Sequence, residues 1–316
     1  MKYTSSRAGL LLLAGILVVS CARNPYATTN RSYKKQAKAY ARTLKMAPLA
    51  EDEGTLYPQG NYWVGTTNFN MRKPNYVVIH HTAQDSTTQT LKTFTIPKTQ
   101  VSAHYVIGRD GKVYHMLNDY LRAWHGGVAR WGNNTDLNSS SIGIELDNNG
   151  YEPFSEAQIN SLLEVLAMLK KKYSIPATNF IGHSDIAPTR KDDPNAMFPW
   201  KKLAENGFGL WYDEAAVDSA IVAAVLPDTT QKLNMAALLP DSSILKNVAI
   251  LDSLAKPIPV PDPIQPKEAL HIIGYDTRNM PAAIKSFKLH FIQTNVDTTL
   301  TATDKQVLFN LYKKYL

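Results

Sequence analysis

Residues 76–82 read YVVIHHT, three β-branched side chains in a row and then two histidines. A run so short and so rich in branched residues predicts a buried strand. Successive strand side chains alternate faces, so His80 and His81 are expected to leave it on opposite sides.

Further along, HYVIGRDGKVYHML (104–117) holds two strand-like runs joined through Asp110-Gly111, a hairpin signal. SIGIELDN (141–148) sets Ile142, Ile144 and Leu146 on one face against Gly143, Glu145 and Asp147 on the other, so one face is core and the other carries acid. Helices are expected between the strands. Ser86–Gln89 and Ser155–Gln158 both fit a capping box, and the second opens a helix with Ile159, Leu162, Leu163, Leu166 and Tyr173 near helical spacing. The alternation predicts a three-layer α/β domain, a mixed central sheet flanked by helices, ending near Trp211.

The full chain has 316 residues, long enough for two domains, and its 44% hydrophobic content is that of a globular protein. Residues 1–20 carry a short basic region (Lys2, Arg7) and an apolar run from Ala8 to Val19, too short for a stable membrane span and read as a signal peptide. The single cysteine, Cys21, follows Val18-Val19-Ser20, which resembles a bacterial lipoprotein box and implies a mature chain anchored through lipidated Cys21. Ala22 and Arg23 lack the aspartate that signals inner-membrane retention in enteric bacteria, so the outer membrane, facing the periplasm, is the expected site by that resemblance. Disulfides, cysteine-ligated metals and a cysteine nucleophile are excluded from the rest of the chain.

Net charge is +7, and the chain stays basic once Lys2 and Arg7 leave with the signal. That balance favours anionic surfaces such as wall polymer or lipid headgroups. The aromatic-basic interleaving of nucleic-acid sites is missing, so no nucleic-acid partner is expected. Residues 21–58 are polar and basic (Arg31, Lys34, Lys35, Lys38, Arg42, Lys45) and read as a partly helical tether. Residues 214–256 read as loosely amphipathic helix, and PIPVPDPIQP (257–266) as a proline-rich spacer. The last fifty residues return to helical patterning, with Thr303–Gln306 as a further capping box.

Six of the eight histidines (His80, His81, His104, His115, His125, His183) fall between residues 80 and 183. Imidazole is the commonest nitrogen ligand of zinc, and a catalytic zinc needs three protein ligands with a fourth position left open. His80 ends a buried strand, and His183 follows the apolar Phe180-Ile181-Gly182, so each is delivered to a sheet edge. Spacing leaves the third ligand open among Asp185, Asp192 and Asp193. A zinc hydrolase also needs a carboxylate to move protons and a donor for the oxyanion; Glu145 suits the first and Lys191 the second.

VVIHHTA, AWHGG, SIGIELDN and HSDIAPTRKDDPNAMFPW (183–200), in this order, resemble the zinc-dependent N-acetylmuramoyl-L-alanine amidases of the AmpD/AmiD type, whose fold is shared with the peptidoglycan recognition proteins. The resemblance covers residues 59–212. It implies one zinc per chain held by His80, His183 and Asp193, with Glu145 as catalytic carboxylate and Lys191 facing the transition state. It implies peptidoglycan and muropeptides as partners and a monomer. His125 and Trp124 are expected to line the substrate cleft, His81 to stand behind the ligands, and His104 and His115 to be structural. Asp185 and Asp192 are read as carboxylates that cap the loop or stand behind the ligands, and Arg190 as a structural ion-pair partner.

Residues 213–316 end in IIGYDTRNMPAAIKSFKLHFIQTNVDTTLTATDKQVLFNLYKKY, which resembles a three-helix peptidoglycan-binding module and departs from it by the long 227–266 insertion. A different class of reading is a catalytically silent peptidoglycan-binding lipoprotein; the full ligand set with Glu145 and Lys191 argues against it.

Overall fold

The structure, a computed structural model, describes residues 24–45, 66, 68, 70–225 and 264–316. The expected signal peptide, Cys21 and most of the proline-rich spacer lie outside the described residues. Two compact units are present, residues 1–69 and 70–316. In the first, helix α1 (Ala27–Thr43) buries none of its side chains, in keeping with a polar sequence that offers no apolar stripe.

The second unit is built on a five-stranded sheet, with β1 (Tyr76–His81), β2 (Tyr105–Ile107), β3 (Val113–His115), β4 (Ser141–Leu146) and β5 (Phe180–Gly182) in the order β3-β2-β4-β1-β5. Only the β2–β3 hairpin is antiparallel. Its turn needs Gly111: φ is +80°, and a Cβ there would meet the Ala157 carbonyl oxygen at 2.8 Å. β4, β1 and β5 run parallel side by side, with His80 opposite Glu145 and Ile79 opposite Gly182. Their carboxyl ends therefore deliver Glu145, His80 and His183 to one edge, the place where open α/β sheets bind ligands.

On one face of the sheet Val77, Ile79, Ile142, Ile144 and Leu146 pack against the long helix α4 (Glu156–Tyr173) through Ile159, Leu162, Leu166 and Leu169. Ser155 caps α4 by accepting the Gln158 N–H, as expected. Gln158 does not close the box; its amide donates to the Ile107 and Asp147 carbonyls and so pins the helix to the strand ends. Ser86 likewise caps α2 (Thr87–Thr95), while the Gln89 side chain takes the Asp85 N–H. Two short helices, α3 (Leu137–Ser140) and α5 (His183–Ile186), flank β4 and β5, and α6 (Trp200–Glu205) follows the loop after α5.

The other face carries Val78 and Ile181, and its cover comes from the end of the chain. Helices α7 (Glu214–Val225), α8 (Pro266–Ile273), α9 (Met280–Phe291) and α10 (Ala302–Tyr312) share one core with Val78, Ile181, Ile186 and Trp131, through Tyr275, Phe287, Phe291 and Leu308 among others. The boundary expected at residues 212 and 213 therefore does not separate two cores. α10 starts two residues earlier than the Thr303 box predicts: Thr301 accepts the Asp304 N–H and Asp304 takes the Thr301 N–H, so the shorter carboxylate closes the box. Among the described residues no helix is long and apolar enough to cross a membrane.

Candidate metal centre and active site

His80, His183 and Asp193 meet at the carboxyl edge of the sheet, and all three are buried. His80 Nδ1 lies 2.9 Å from His183 Nδ1, and Asp193 Oδ2 is 3.1 Å from each of these nitrogens. Of the three aspartates that spacing left open, Asp193 is the one in the cluster. Asp192 is exposed, and Asp185 faces away toward α9.

The hydrogen bonds behind the cluster decide which nitrogens carry protons. The Ser141 hydroxyl donates to the Leu137 carbonyl, so its oxygen accepts from His125 Nε2 at 3.2 Å. His125 Nδ1 is then an acceptor and takes the proton of His80 Nε2 at 3.0 Å. His80 is left with a bare Nδ1 facing the cluster. On the other side, both hydrogens of Arg190 Nη2 go to the carbonyls of Gly126 and Val128, and His183 Nε2 donates to the Gly126 carbonyl at 3.3 Å. His183 Nδ1 is bare as well.

Two imidazole lone pairs and a carboxylate oxygen therefore converge within about one hydrogen-bond length. Three acceptors cannot meet this closely without positive charge among them; a proton serves one pair of atoms, whereas a metal ion serves all three. The protonation states suit a cation. Burial, with the neighbouring His183, pulls His80 down to about 4, so it is neutral at pH 7. Two nitrogens and one oxygen form a set that zinc accepts, and the cluster can hold a metal ion.

Glu145 stands beside His80 in the β4–β1 register, its Oε1 4.0 Å from His80 Nδ1. Its other oxygen is buried with no hydrogen-bond partner among the described residues. Burial first, and the Asp193 charge second, raise the carboxyl to about 8, while Lys191 pulls it back. Lys191 is exposed at the rim, close enough for its charge to favour the ionised glutamate.

Other expected residues fall in different places. Trp124 is half exposed, with its backbone N–H donating to the Ser102 hydroxyl. His125 is buried beneath His80 with both ring nitrogens engaged, and Gly143 leaves the room that its ring takes. Among the described residues Arg190 makes no ion pair and serves the two carbonyls instead. His81 leaves β1 on the opposite side and accepts the Asn195 N–H. His104 is structural, accepting the Gly143 N–H and donating to the Leu121 carbonyl, and His115 stacks on Tyr105 and bonds Asp119. Sequence reasoning missed Ser141 and Asn138. The Asn138 carboxamide oxygen accepts the N–H groups of both His125 and Gly126, fixing the segment that supports both histidines.

The five-stranded α/β sheet thus carries at one edge a two-histidine, one-aspartate cluster that can hold a metal ion, with a glutamate on the adjacent strand. The family described as N-acetylmuramoyl-L-alanine amidase matches residues 70–196. AmiD of Escherichia coli is 37% identical over 158 residues, 45% of this chain and 56% of that protein. AmpD of Haemophilus influenzae is 39% identical over 104 residues, 33% of this chain and 56% of that one. The chain thus spans about half the length of the curated relatives it matches. Among solved structures, AmiD from E. coli in complex with anhydro-N-acetylmuramic acid-L-Ala-D-gamma-Glu-L-Lys superposes with a TM-score of 0.61 at 28% identity, covering 82% of this chain and 97% of that chain. AmpDh3 from Pseudomonas aeruginosa, solved alone and with anhydromuramic pentapeptide, superposes at 0.59 and 27%, covering 82% and 99%. Residues 70–196 thus match the N-acetylmuramoyl-L-alanine amidase family, and over that span the chain is similar to AmiD and AmpD.

Proposed function

We propose that the chain is a zinc-dependent amidase that cleaves the bond between N-acetylmuramic acid and L-alanine in peptidoglycan or its fragments, in wall turnover or recycling. The observation that carries this reading is the convergence of His80, His183 and Asp193 at 2.9–3.1 Å beside Glu145. The muropeptides in the AmiD and AmpDh3 complexes support the choice of substrate.

Zinc, when bound by these three residues, supplies Lewis-acid polarisation of the amide carbonyl. Glu145, ionised once a cation offsets its burial, takes a proton from the attacking water and returns it to the leaving L-alanine nitrogen. Lys191 at the rim faces the negative charge that develops on the carbonyl oxygen. His125 and the Gly126 carbonyl keep both histidine lone pairs on the cluster.

The lipoprotein pattern ending at Cys21 supports a lipid-anchored monomer in the cell envelope, at the outer membrane facing the periplasm. The chain incubated with purified sacculi, beside Asp193→Ala, tests the activity by mass spectrometry. Free stem peptides beginning at L-alanine from the unaltered chain alone support the reading. Intact sacculi that merely retain the protein reject it in favour of a silent wall-binding lipoprotein.

A further inference from the structure

Helix α5 has four residues and starts at a metal-site histidine. One turn of helix cannot hold its own shape, since nucleation costs more than a single hydrogen bond returns. What holds it is Asp185, a fully buried carboxylate.

Asp185 Oδ2 accepts the Gly182 N–H at 2.7 Å, closing the turn on the residue just before His183. The same oxygen accepts from His290 Nδ1 at 2.7 Å. Oδ1 accepts from the Tyr275 hydroxyl at 2.8 Å and lies 3.4 Å from the Ser286 hydroxyl. Three of its four donors thus come from the C-terminal helices and their connection, 90 to 105 positions downstream. Two of these donors are themselves held. The His290 ring stacks on Trp200, with centroids 3.8 Å apart, and the Tyr275 ring packs edge-on against Trp131. Inside α5 the Ser184 N–H bonds the Asp193 carbonyl at 2.8 Å, so the turn that carries His183 also positions the backbone of Asp193.

We infer that the C-terminal helices are a structural part of the metal centre. Tyr275, Ser286 and His290 grip Asp185, and through Asp185 they act as positioning residues for His183 and Asp193. A buried carboxylate is stable only while its donors are in place, so loosening the grip moves two of the three ligands. The inference rests on the reading of the cluster as a zinc site, and its test separates metal binding from turnover.

The test uses the full chain and its Tyr275→Phe, His290→Leu and His290→Asn variants. Asparagine keeps a donor near the place of Nδ1; leucine keeps none. Three quantities are read: Zn2+ affinity by chelator competition, the visible absorption spectrum of the Co2+-loaded chain, and the melting temperature of the metal-free chain. Zn2+ affinity is expected to fall about 10- to 100-fold in His290→Leu and Tyr275→Phe, the usual effect of losing a partner behind a metal ligand. The Co2+ spectrum should change with it, and His290→Asn should recover most of the affinity. Lower melting temperatures with unchanged affinity and spectrum would reduce the helices to a passive cover and overturn the inference. A wild-type chain that binds Zn2+ tightly but cuts no muropeptide rejects the amidase reading and leaves the brace standing; one that takes up no Zn2+ overturns both.

Discussion

Gly143 leaves the volume that the His125 ring fills: a Cβ on Gly143 would lie 2.4 Å from His125 Cγ. Since His125 sits against His80 Nε2, a strand glycine determines where a metal-site nitrogen points. Gly143→Ala is expected to displace the imidazole, cost about 1–3 kcal/mol by overpacking and lower Zn2+ affinity at least about 10-fold. Chelator competition and urea unfolding read the two effects. An alanine variant with native affinity would show that His80 needs no support from His125.

Ser141 acts at the far end of the same chain of bonds. Ser141→Ala removes the acceptor of the His125 Nε2 proton and so frees His125 to adopt the other tautomer. The imidazole 15N shifts of His125 and His80 should move, with Zn2+ affinity lower by about 10-fold. Unchanged shifts would refute the proton assignment.

Glu145 should make the metal-free protein sensitive to alkali. Its carboxyl is raised from 4.5 to about 8, so its contribution is fully present below pH 4.5 and is lost as pH rises through 8. Metal-free Glu145→Gln should therefore be more stable than the wild type at pH 9 and no more stable at pH 4.5, as read by urea unfolding at both. Its turnover with zinc should fall about 10²- to 10⁴-fold, the usual share of a general acid–base group.

Asp119 gives the opposite slope. Burial works against its charge, but bonds from His115, Tyr173, Lys172 and Tyr105 hold the carboxyl well below the usual range. Its stabilisation is present above about pH 4, the unfolded value, and is lost as pH falls below it. Asp119→Ala strands two buried tyrosine hydroxyls and should cost about 3 kcal/mol at pH 7. Its acid-unfolding curve should be shallower than that of the wild type, and an equally steep curve would point to other carboxylates.

What could be read from the sequence follows from distance along the chain. YVVIHHT and SIGIELDN carry their period within a few residues, so β1, β4 and the faces of His80 and Glu145 were legible. The place of Asp193 needed the family resemblance, because three nearby aspartates share its local chemistry. The partners of Asp185, and the support of His80 by Ser141 through His125, were not legible, since contacts between distant positions leave no periodic trace. The helical pattern near the C-terminus was legible too, yet an apolar stripe does not say what it will cover, and here it covers the second face of the sheet.

The shared core has a consequence for the order of events at the ribosome. Helices α8 to α10 emerge after the sheet, and until they do Val78, Ile181 and Ile186 lack Phe287 and Leu308 above them. A nascent chain that has already made both histidines and Asp193 still exposes apolar surface to aggregation. The bonds from Tyr275 and His290 to Asp185 join residues 90 and 105 positions apart, and such distant pairings are slow to form. The second face of the sheet is thus closed only when these helices dock.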